Sequence, residues 1–481
     1  MSLFLCFVFM IYHYYSTSIF FNFMYSQQDT KMSMSYRRQC RYILCVCFIF
    51  GLTVILRDAH VCLDGTSKYQ NPSLHDVIKQ DVTLSDVQRP NIDRNVPNFQ
   101  IQPSRIKLDK EYAARRQTML DACAGREFDK EMRGNSSQDS VKDHIVVDRN
   151  HRILYCAIEK VGSTFWRRLW QVLTGLSSAA HPYDIPPGAA LGGGQETLKN
   201  IFFDEIHSMI STYRSFIITR HPFYRIFSGY VDKLFSPNPM FWNSLGVYII
   251  ENFREEKRKQ NIACGSGVTF REFVKYLIHS ETHNSRRNGH FLPMFDHCRP
   301  CQIKYDVIGK MESFVDDTLY IVKSLGFTDM AFTLNKTMRS GTVSDTIKDQ
   351  VNILYAYKSS ICISFYDAQK IMWKKFQIRG VISKHSKFPF SRTQAGNVTQ
   401  RDYITAVTSA IGDARDKARA SQYRQEAFLE AFRSVDKNDM KKLIDITRVD
   451  CEVFGYDCSL STLYHKFEDS RSDTKYFDID Q

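Results

Sequence analysis

The middle of the chain alternates short apolar runs with helical repeats of apolar residues. Residues 152–158 (RILYCAI) form a mostly apolar run typical of a buried strand, and residues 165–173 follow with apolar side chains at helical spacing. Gly175 stands where this helix would end. The same order recurs when residues 215–219 lead to Pro222, which suits the first position of a helix. The repeated order predicts an α/β fold with a central parallel sheet flanked by helices.

Two longer apolar stretches open the sequence, at residues 3–24 and 42–56. The polar bridge between them contains three arginines: Arg37, Arg38 and Arg41. Basic residues beside a membrane span tend to stay in the cytoplasm. We therefore expect residues 42–56 to form a transmembrane signal-anchor, with residues 1–41 as a cytoplasmic tail or N-terminal extension. This run is about 15 residues long against the ~20 of a standard span, which suits a thin early-secretory membrane.

Two alternatives to the anchor are a cleaved signal peptide and a true start near Met32 or Met34. Beyond the anchor, residues 57–110 are polar, contain scattered prolines and lack a sustained period, which is typical of a stem. Regular patterning begins near residue 111. We expect the main domain at residues 111–465 and a polar tail at residues 466–481.

Composition and charge are compatible with this layout. The chain has 481 residues, of which 43% are apolar, enough for one large domain with an anchor and a spacer. Its net charge of +12 is spread along the sequence and indicates an anionic partner. Charge alone leaves nucleic acid, acidic polysaccharide and acidic lipid open.

The cysteines and glycosylation sequons fit the predicted lumenal side. Nine of the thirteen cysteines lie beyond the N-terminal apolar segments, from Cys62 to Cys458. Because nine is odd, at least one thiol is free or paired between chains. Three Asn-x-Ser/Thr sequons also follow the anchor, at Asn135, Asn335 and Asn397.

A candidate anion site lies between the first predicted strand and helix, at residues 159–164 (EKVGST). A strand that leads through a tight loop into a helix points backbone N–H groups and the positive helix end at one spot. Gly162 permits close approach of the backbone, and Lys160 adds a mobile positive charge. Ser163 and Thr164 can donate hydroxyl groups or cap the helix. The Walker A spacing is absent, and an ordinary strand-to-helix turn is the alternative.

The second predicted unit supplies polar residues suited to a second phosphate. Arg220 ends its strand, and Ser228 lies eight residues further on, within the helix. Arg225 and Asp232 share the polar face of Ser228. An arginine can bind a phosphate through two N–H groups, and a serine hydroxyl can add one hydrogen bond. A merely solvated helix face is the alternative for Ser228.

These two segments carry a resemblance to a known family. Residues 154–168 (LYCAIEKVGSTFWRR) resemble the 5′-phosphosulfate loop of the membrane-bound carbohydrate sulfotransferases, in the chondroitin/dermatan 4-O-sulfotransferase and HNK-1 sulfotransferase group. Residues 219–230 (TRHPFYRIFSGY) are similar to that family's 3′-phosphate element, including the interval from Arg to Ser.

A third block and the C-terminal end extend the resemblance. The third block resembles the family's acceptor-side segment at residues 290–293 (HFLP), 298–301 (CRPC) and 305–312 (YDVIGKME). Residues 443–457 look like its closing helix. The resemblance covers most of residues 111–457 and implies a P-loop-like sulfotransferase fold. Residues 338–425 make a longer segment than family members need, so we expect an insertion or lid there.

The resemblance implies transfer of a sulfuryl group from 3′-phosphoadenosine 5′-phosphosulfate to a sugar hydroxyl, foremost that of N-acetylgalactosamine in chondroitin- or dermatan-type glycans. Lys160 would stabilise the charge on the leaving phosphate oxygen. Arg220 and Ser228 would recognise the 3′-phosphate. The implied donor-binding residues are Lys160, Val161, Gly162, Ser163, Thr164, Phe165, Arg220, Arg225 and Ser228.

The resemblance also bears on partners and location. It implies an acidic glycan acceptor, no nucleic acid, no metal, and a membrane contact through the N-terminal anchor. We expect a single-pass type II protein of the Golgi membrane, with its catalytic domain in the lumen.

The chain departs from the family pattern at two positions. Glu159 stands where the family usually has Pro, and Phe165 where it usually has Asn. The carboxylate of Glu159 should weaken anion binding unless it points away or pairs with an arginine. Glu159 thus favours an alternative function, that of a catalytically inactive, lectin-like relative that binds acidic glycans. A nucleotide kinase is disfavoured because the Walker spacing is missing.

A general base for the sugar hydroxyl is expected among the histidines. His290 is the first candidate because it opens the third block, and His207 with Glu205 is the second. Local packing of His290 is the alternative. The pair Cys298 and Cys301, next to further histidines, could suggest zinc, but disulfides are the better expectation in a lumenal chain. The C-terminal Cys451 and Cys458 could pair with each other or with distant partners.

Overall fold

The structure is a computed structural model that describes residues 109–124, 139–190, 192, 194–255, 264–412, 414–463 and 475–479. The expected anchor at residues 42–56, nearly all of the expected stem, Cys62 and Asn135 lie outside these residues. Within the described part of the chain, no helix combines the length and apolar character needed to cross a bilayer.

One sheet of four strands organises the described residues. In chain order and in spatial order the strands are β1 (Ile145–Asp148), β2 (Ile153–Cys156), β3 (Arg214–Thr219) and β4 (Val307–Lys310). The strands β2, β3 and β4 run parallel, with Tyr155 beside Phe216 and Phe216 beside Val307. The edge strand β1 is antiparallel to β2. The predicted parallel sheet is therefore present in β2, β3 and β4, and it has an antiparallel strand at one edge, because a tight turn joins β1 to β2 and such turns connect antiparallel strands.

Helices cover the sheet. Before β3 lie α1 (Lys110–Cys123), α2 (Asp139–His144), α3 (Ser163–Leu173) and α4 (Phe203–Thr212). Between β3 and β4 lie α5 (Pro222–Tyr230), α6 (Pro239–Phe241), α7 (Val247–Phe253), α8 (Phe270–Thr282), α9 (Met294–Cys298) and α10 (Pro300–Ile303). After β4 follow α11 (Phe314–Ser324), α12 (Thr328–Ala356), α13 (Phe365–Ile378), α14 (Arg392–Ala395), α15 (Gln400–Ser409), α16 (Ala414–Arg433) and α17 (Lys437–Phe454). Short 3₁₀ turns occupy Pro182–Asp184, Pro187–Ala190, Leu198–Asn200 and Met311–Ser313, and π-helical turns occupy Val231–Phe235 and Trp242–Gly246.

The two predicted strand–loop–helix units are confirmed. The unit β2–α3 buries Trp166, Leu169 and Trp170, and Gly175 follows its last turn with a φ of +71°. The unit β3–α5 begins its helix at Pro222. The apolar side chains at helical spacing after Pro222 are all buried: Phe223, Ile226, Phe227, Tyr230 and Leu234. Apolar periodicity found these elements because each helix buries one continuous face.

Residues 338–425 have a hydrophobic cluster of their own. It joins α12, α13 and α15, and its buried members include Val351, Met372, Trp373, Phe376 and Tyr403. The helix α13 also contacts the π-helical turn that follows α5. That contact brings residues 338–425 close to the β2–α3 and β3–α5 units. The origin of these residues as an insertion stays a prediction.

Among the residues that the structure describes, four disulfide bonds cross-link the fold: Cys123–Cys301, Cys156–Cys298, Cys264–Cys362 and Cys451–Cys458. Cys451 and Cys458 therefore pair with each other and not with distant partners. Cys298 and Cys301 each bond to a distant cysteine, so this pair offers no thiolates to a zinc ion. The bond from Cys156 to Cys298 ties the end of β2 to α9.

Candidate active site

The loop between β2 and α3 turns sharply at two residues in the left-handed region. Lys160 has a φ of +71° and Gly162 a φ of +82°. Gly162 is the N-cap residue of α3, and no side chain caps this helix. The N–H groups of its first turn, together with the positive helix end, are therefore available to an anion.

The remaining loop residues divide by exposure. The side chains of Val161 and Phe165 are buried in the main core, so these two residues can meet a ligand only through their backbone. Ser163 is partly exposed and Thr164 is exposed, which leaves both hydroxyl groups accessible. The loop thus has the backbone N–H groups and side-chain hydroxyl groups expected from its sequence. A direct role of each residue in binding the sulfate donor stays a prediction.

Gly162 has no room for a side chain. A Cβ atom there would lie 2.5 Å from Cε2 of Phe314, and its φ is unfavourable for other residues. Gly175 has a similar φ of +71°, but a Cβ there meets no atom within 4 Å. Gly162→Ala should therefore lower the free energy of unfolding by about 1–3 kcal/mol more than Gly175→Ala does, since only the first overpacks a core.

Chemical denaturation under non-reducing conditions measures this difference between Gly162→Ala and Gly175→Ala. An equal loss in the two variants would mean that Phe314 does not close on the loop.

Lys160 forms a partly buried ion pair. Its Nζ lies 2.5 Å from Oδ2 of Asp232, in the π-helical turn after α5. Burial lowers the pKa of Lys160 to about 8, although the charge of Asp232 opposes this shift. The ammonium group is thus held at the loop by one carboxylate and is poorly hydrated.

Asp232 is surrounded by further cations. Lys375 Nζ lies 2.9 Å from its Oδ1, and Arg379 Nη2 lies 3.3 Å from the same atom. Lys233 Nζ lies 3.7 Å from its Oδ2. These charges hold the pKa of Asp232 well below its ordinary value against the opposing effect of burial. Among the described residues, four cations therefore share one carboxylate, and the cluster carries excess positive charge that an anionic ligand would neutralise.

Sequence analysis missed Lys375 and Arg379. They lie in α13 and just after it, far along the chain from Lys160. Two basic residues four positions apart are common on solvent-exposed helices. The local sequence therefore does not distinguish Lys375 and Arg379 from ordinary surface residues. The sequence placed Asp232 on a polar helix face but gave it no role. Asp232 lies in a π-helical turn, and such turns are often found at functional sites.

Arg220 contacts the same loop from β3. Its Nη1 donates to the carbonyl oxygen of Lys160 at 3.1 Å. Burial lowers its pKa to about 10, although the nearby charge of Glu312 opposes that shift. The structure thus brings Arg220 and Lys160 together, as expected for two parts of one donor site.

Arg225 acts as a brace. Its Nε donates to the carbonyl oxygen of Glu159 at 3.1 Å, and its Nη1 donates to that of Leu292 at 2.6 Å. Its Nη2 is buried and has no hydrogen-bond partner within the described part of the chain. Arg225 therefore links the loop to the segment that contains His290. Ser228 is partly exposed on α5 between Arg225 and Asp232, two residues that both contact the loop.

His290 lies beside the cationic cluster. Its Nδ1 is 3.2 Å from Oδ1 of Asn288, and its ring packs edge-on against Phe241. Burial lowers its pKa to about 4, and the charge of Lys233 acts in the same direction. A neutral imidazole near Lys160 can accept a proton. The rival candidates lie on α4, where His207 is exposed and Glu205 pairs with Arg149.

Glu159 turns its side chain toward histidines. Its Oε2 lies 3.5 Å from Nε2 of His144, at the end of α2. Burial raises the pKa of Glu159, but His144 and then His297 outweigh it and hold that pKa below its ordinary value. Of the two expected ways to relieve this carboxylate, pairing with an arginine is not seen among the described residues, and the side chain is directed toward His144 and His297 instead.

The C-terminal helix α17 positions the third block. Asp450 accepts hydrogen bonds from the backbone N–H groups of Met294 and Phe295, at 2.8 Å and 2.7 Å. Burial raises the pKa of Asp450 to about 6. After the helix, the hydroxyl of Tyr456 donates to Glu312 at 3.1 Å, beside Arg220. The third block and the C-terminal end therefore contact each other close to Arg220.

Comparisons with known proteins relate this chain to sulfotransferases. A model of the sulfotransferase family matches residues 143–352. Carbohydrate sulfotransferase 11 of Mus musculus is 29% identical over 299 residues, which cover 61% of this chain and 81% of that protein. Carbohydrate sulfotransferase 9 of Homo sapiens is 31% identical over 234 residues (47% and 50%), and carbohydrate sulfotransferase 14 of Danio rerio is 33% identical over 183 residues (38% and 48%). No solved structure matches the chain.

Proposed function

Because this chain belongs to the carbohydrate sulfotransferase family, we propose that it transfers a sulfuryl group to N-acetylgalactosamine of chondroitin- or dermatan-type glycans. The chain is a sulfotransferase, and its family implies 3′-phosphoadenosine 5′-phosphosulfate as donor and a glycan as acceptor. The observation that supports the sulfuryl-transfer part of the proposal is the position of Lys160, between an uncapped helix N-terminus and a cluster with excess positive charge.

The residues present fit an anionic donor with two phosphate-bearing ends. The loop and Lys160 provide backbone N–H groups and an ammonium group for the phosphosulfate. Arg220 and Ser228 are proposed to bind the 3′-phosphate, while Arg225 keeps the loop in place. Arg220 reaches the same loop as Lys160, so the two proposed subsites adjoin.

The proposed reaction is an in-line displacement at sulfur. The bond from sulfur to the bridging phosphate oxygen breaks, and a bond from sulfur to the sugar oxygen forms. The proton of the sugar hydroxyl moves to His290, and adenosine 3′,5′-bisphosphate leaves. Lys160 stabilises the negative charge that builds on the phosphate oxygen. For this role, the bound donor replaces Asp232 as a partner of the Lys160 ammonium group.

An acceptor panel tests the substrate class. The full-length chain is incubated with donor labelled in its sulfate, and with desulfated chondroitin, dermatan, heparan and terminal glucuronyl glycans. Preferential labelling of chondroitin or dermatan, on N-acetylgalactosamine, is the expected result. Labelling of another glycan alone would refute the acceptor but keep the activity. Glycan binding without donor binding in calorimetry would instead indicate a lectin-like protein.

Donor affinity should weaken as the pH rises. Burial lowers the pKa of Lys160 to about 8 and that of Lys375 to about 7. The free protein therefore loses these charges as the pH passes through about 7 and 8, whereas a bound anion favours the charged forms. For each proton that is taken up on binding, the affinity for the donor should fall by up to about tenfold for every pH unit above these pKa values.

Calorimetric titrations between about pH 6 and pH 9 measure this dependence. The variant Lys375→Arg should flatten it, because an arginine keeps its charge over this range. An unchanged affinity across the range would contradict the ionic role of the cluster.

We also propose that the protein is a type II membrane protein of the Golgi, with its catalytic domain in the lumen. Support comes from Asn335 and Asn397, which are exposed where glycans could be attached, and from the four disulfide bonds. A mobility shift on enzymatic removal of N-linked glycans, together with co-localisation with a Golgi marker, would support this location. An unglycosylated, cytosolic chain would refute it.

A further inference from the structure

Three possible metal ligands meet beneath the Lys160 loop. They are His144 at the end of α2, Glu159 in the loop and His297 in α9. One ligand atom from each lies within 4.8 Å of the other two. The rings of His144 and His297 are 4.3 Å apart between centroids. Three separate elements thus converge on one point, and the Cys156–Cys298 bond holds two of them together.

His297 has the hydrogen bonding of a metal ligand. Its ring is 0% exposed, and its Nε2–H donates to the carbonyl oxygen of Gly289 at 2.6 Å. This bond sets the tautomer, so the lone pair of the neutral ring is on Nδ1. That atom is buried and has no hydrogen-bond partner among the described residues. Histidine ligands of metals commonly donate their other N–H to a backbone carbonyl in this way.

Glu159 completes the set with a carboxylate. Its Oε2 is also buried and lies 3.5 Å from Nε2 of His144, longer than an ordinary hydrogen bond. Its carbonyl oxygen faces the other way and accepts from Arg225. Oε2 of Glu159 and Nδ1 of His297 are thus two buried polar atoms without a hydrogen-bond partner among the described residues, and such atoms are costly unless a bound group satisfies them.

We propose that His144, Glu159 and His297 bind a zinc-like divalent cation. Two imidazoles and one carboxylate form a ligand set that zinc accepts, with water in the remaining position. The ion neutralises Glu159 and so removes a negative charge from the neighbourhood of Lys160. It also cross-links α2, the loop and α9. This site goes beyond the proposed function, does not depend on it, and replaces the expectation of a metal-free protein.

Zinc binding to the full-length chain tests the site. The chain is stripped with a chelator and dialysed against ZnCl₂, and the bound zinc is counted by elemental analysis and titrated against a competing chelator. The wild type should bind zinc stoichiometrically. Glu159→Gln and His297→Leu should each weaken zinc binding by at least about 10–100-fold, the range already seen on loss of an outer-shell partner.

A surface histidine pair provides the matched control. His279 lies in α8 and His283 directly follows this helix, and their rings are also 4.3 Å apart. The double variant His279→Gln/His283→Gln should bind zinc like the wild type. A wild type without stoichiometric zinc, or a control that loses zinc while Glu159→Gln retains it, would overturn the proposal.

Two further readouts keep the test independent of folding and of catalysis. CoCl₂ added to the stripped wild type should give the visible absorption of cobalt bound by nitrogen and oxygen ligands, and its absence would overturn the site. Zinc should also raise the thermal midpoint of the wild type but not that of Glu159→Gln. Sulfate transfer is assayed separately, so a protein without this activity could still confirm the zinc site.

Discussion

Lys160→Ala should lower the rate of sulfate transfer by on the order of 10²–10³-fold. Lys160 is the lysine of the β2–α3 loop, and its ammonium group is already placed at the helix N-terminus by Asp232. Loss of this group leaves the charge on the departing phosphate oxygen without its main partner. Initial rates with labelled donor at saturating acceptor measure the effect.

The fold should survive this substitution. Asp232 would keep its ion pairs with Lys375 and Arg379, so its carboxylate would not be left buried without a partner. Lys323→Ala, on the exposed side of α11, is the control and should retain the wild-type rate. Full activity of Lys160→Ala with an intact fold would refute the assignment of the donor site.

His290→Gln should lower kcat by about 10²–10⁴-fold, the usual contribution of a positioned general base. His290 is neutral because its pKa is lowered to about 4, and Lys160 and Glu159 are near enough for their charges to influence that pKa. Glutamine keeps a similar size and polarity but cannot accept the proton.

Separate measurements of donor affinity and kcat distinguish catalysis from packing. A catalytic base should affect kcat and leave the donor Kd nearly unchanged, whereas a packing role against Phe241 would affect stability and both constants. His207→Gln, which alters the rival candidate, should leave kcat unchanged. Normal turnover by His290→Gln with loss in His207→Gln would reverse the assignment.

The local parts of the site could be predicted from sequence. Residues 159–164 were placed between a strand and a helix because apolar spacing defined both neighbours, and Gly162 marked the sharp turn between them. The structure has a left-handed Gly162 at the start of α3. Arg220 was placed at the end of the second strand by the same reasoning, and it contacts the loop.

Other parts of the site depend on contacts between distant segments. The sequence showed that Glu159 introduces a charge but not where its side chain points, since its neighbours His144 and His297 belong to two other elements. The edge strand β1 escaped prediction because its four residues are buried on both faces and show no alternation.

By itself, the sequence determined the two strand–loop–helix units, the position of the loop that is proposed to bind an anion, and the blocks that resemble the family. These features are local, because periodicity and turn residues act over a few neighbouring positions. Only the tertiary structure decided that Lys375 and Arg379 join Lys160 around Asp232, and that two histidines face Glu159. Such charges meet because the chain packs into one particular arrangement, and a charged residue gives no local sign of the partner that packing will bring to it.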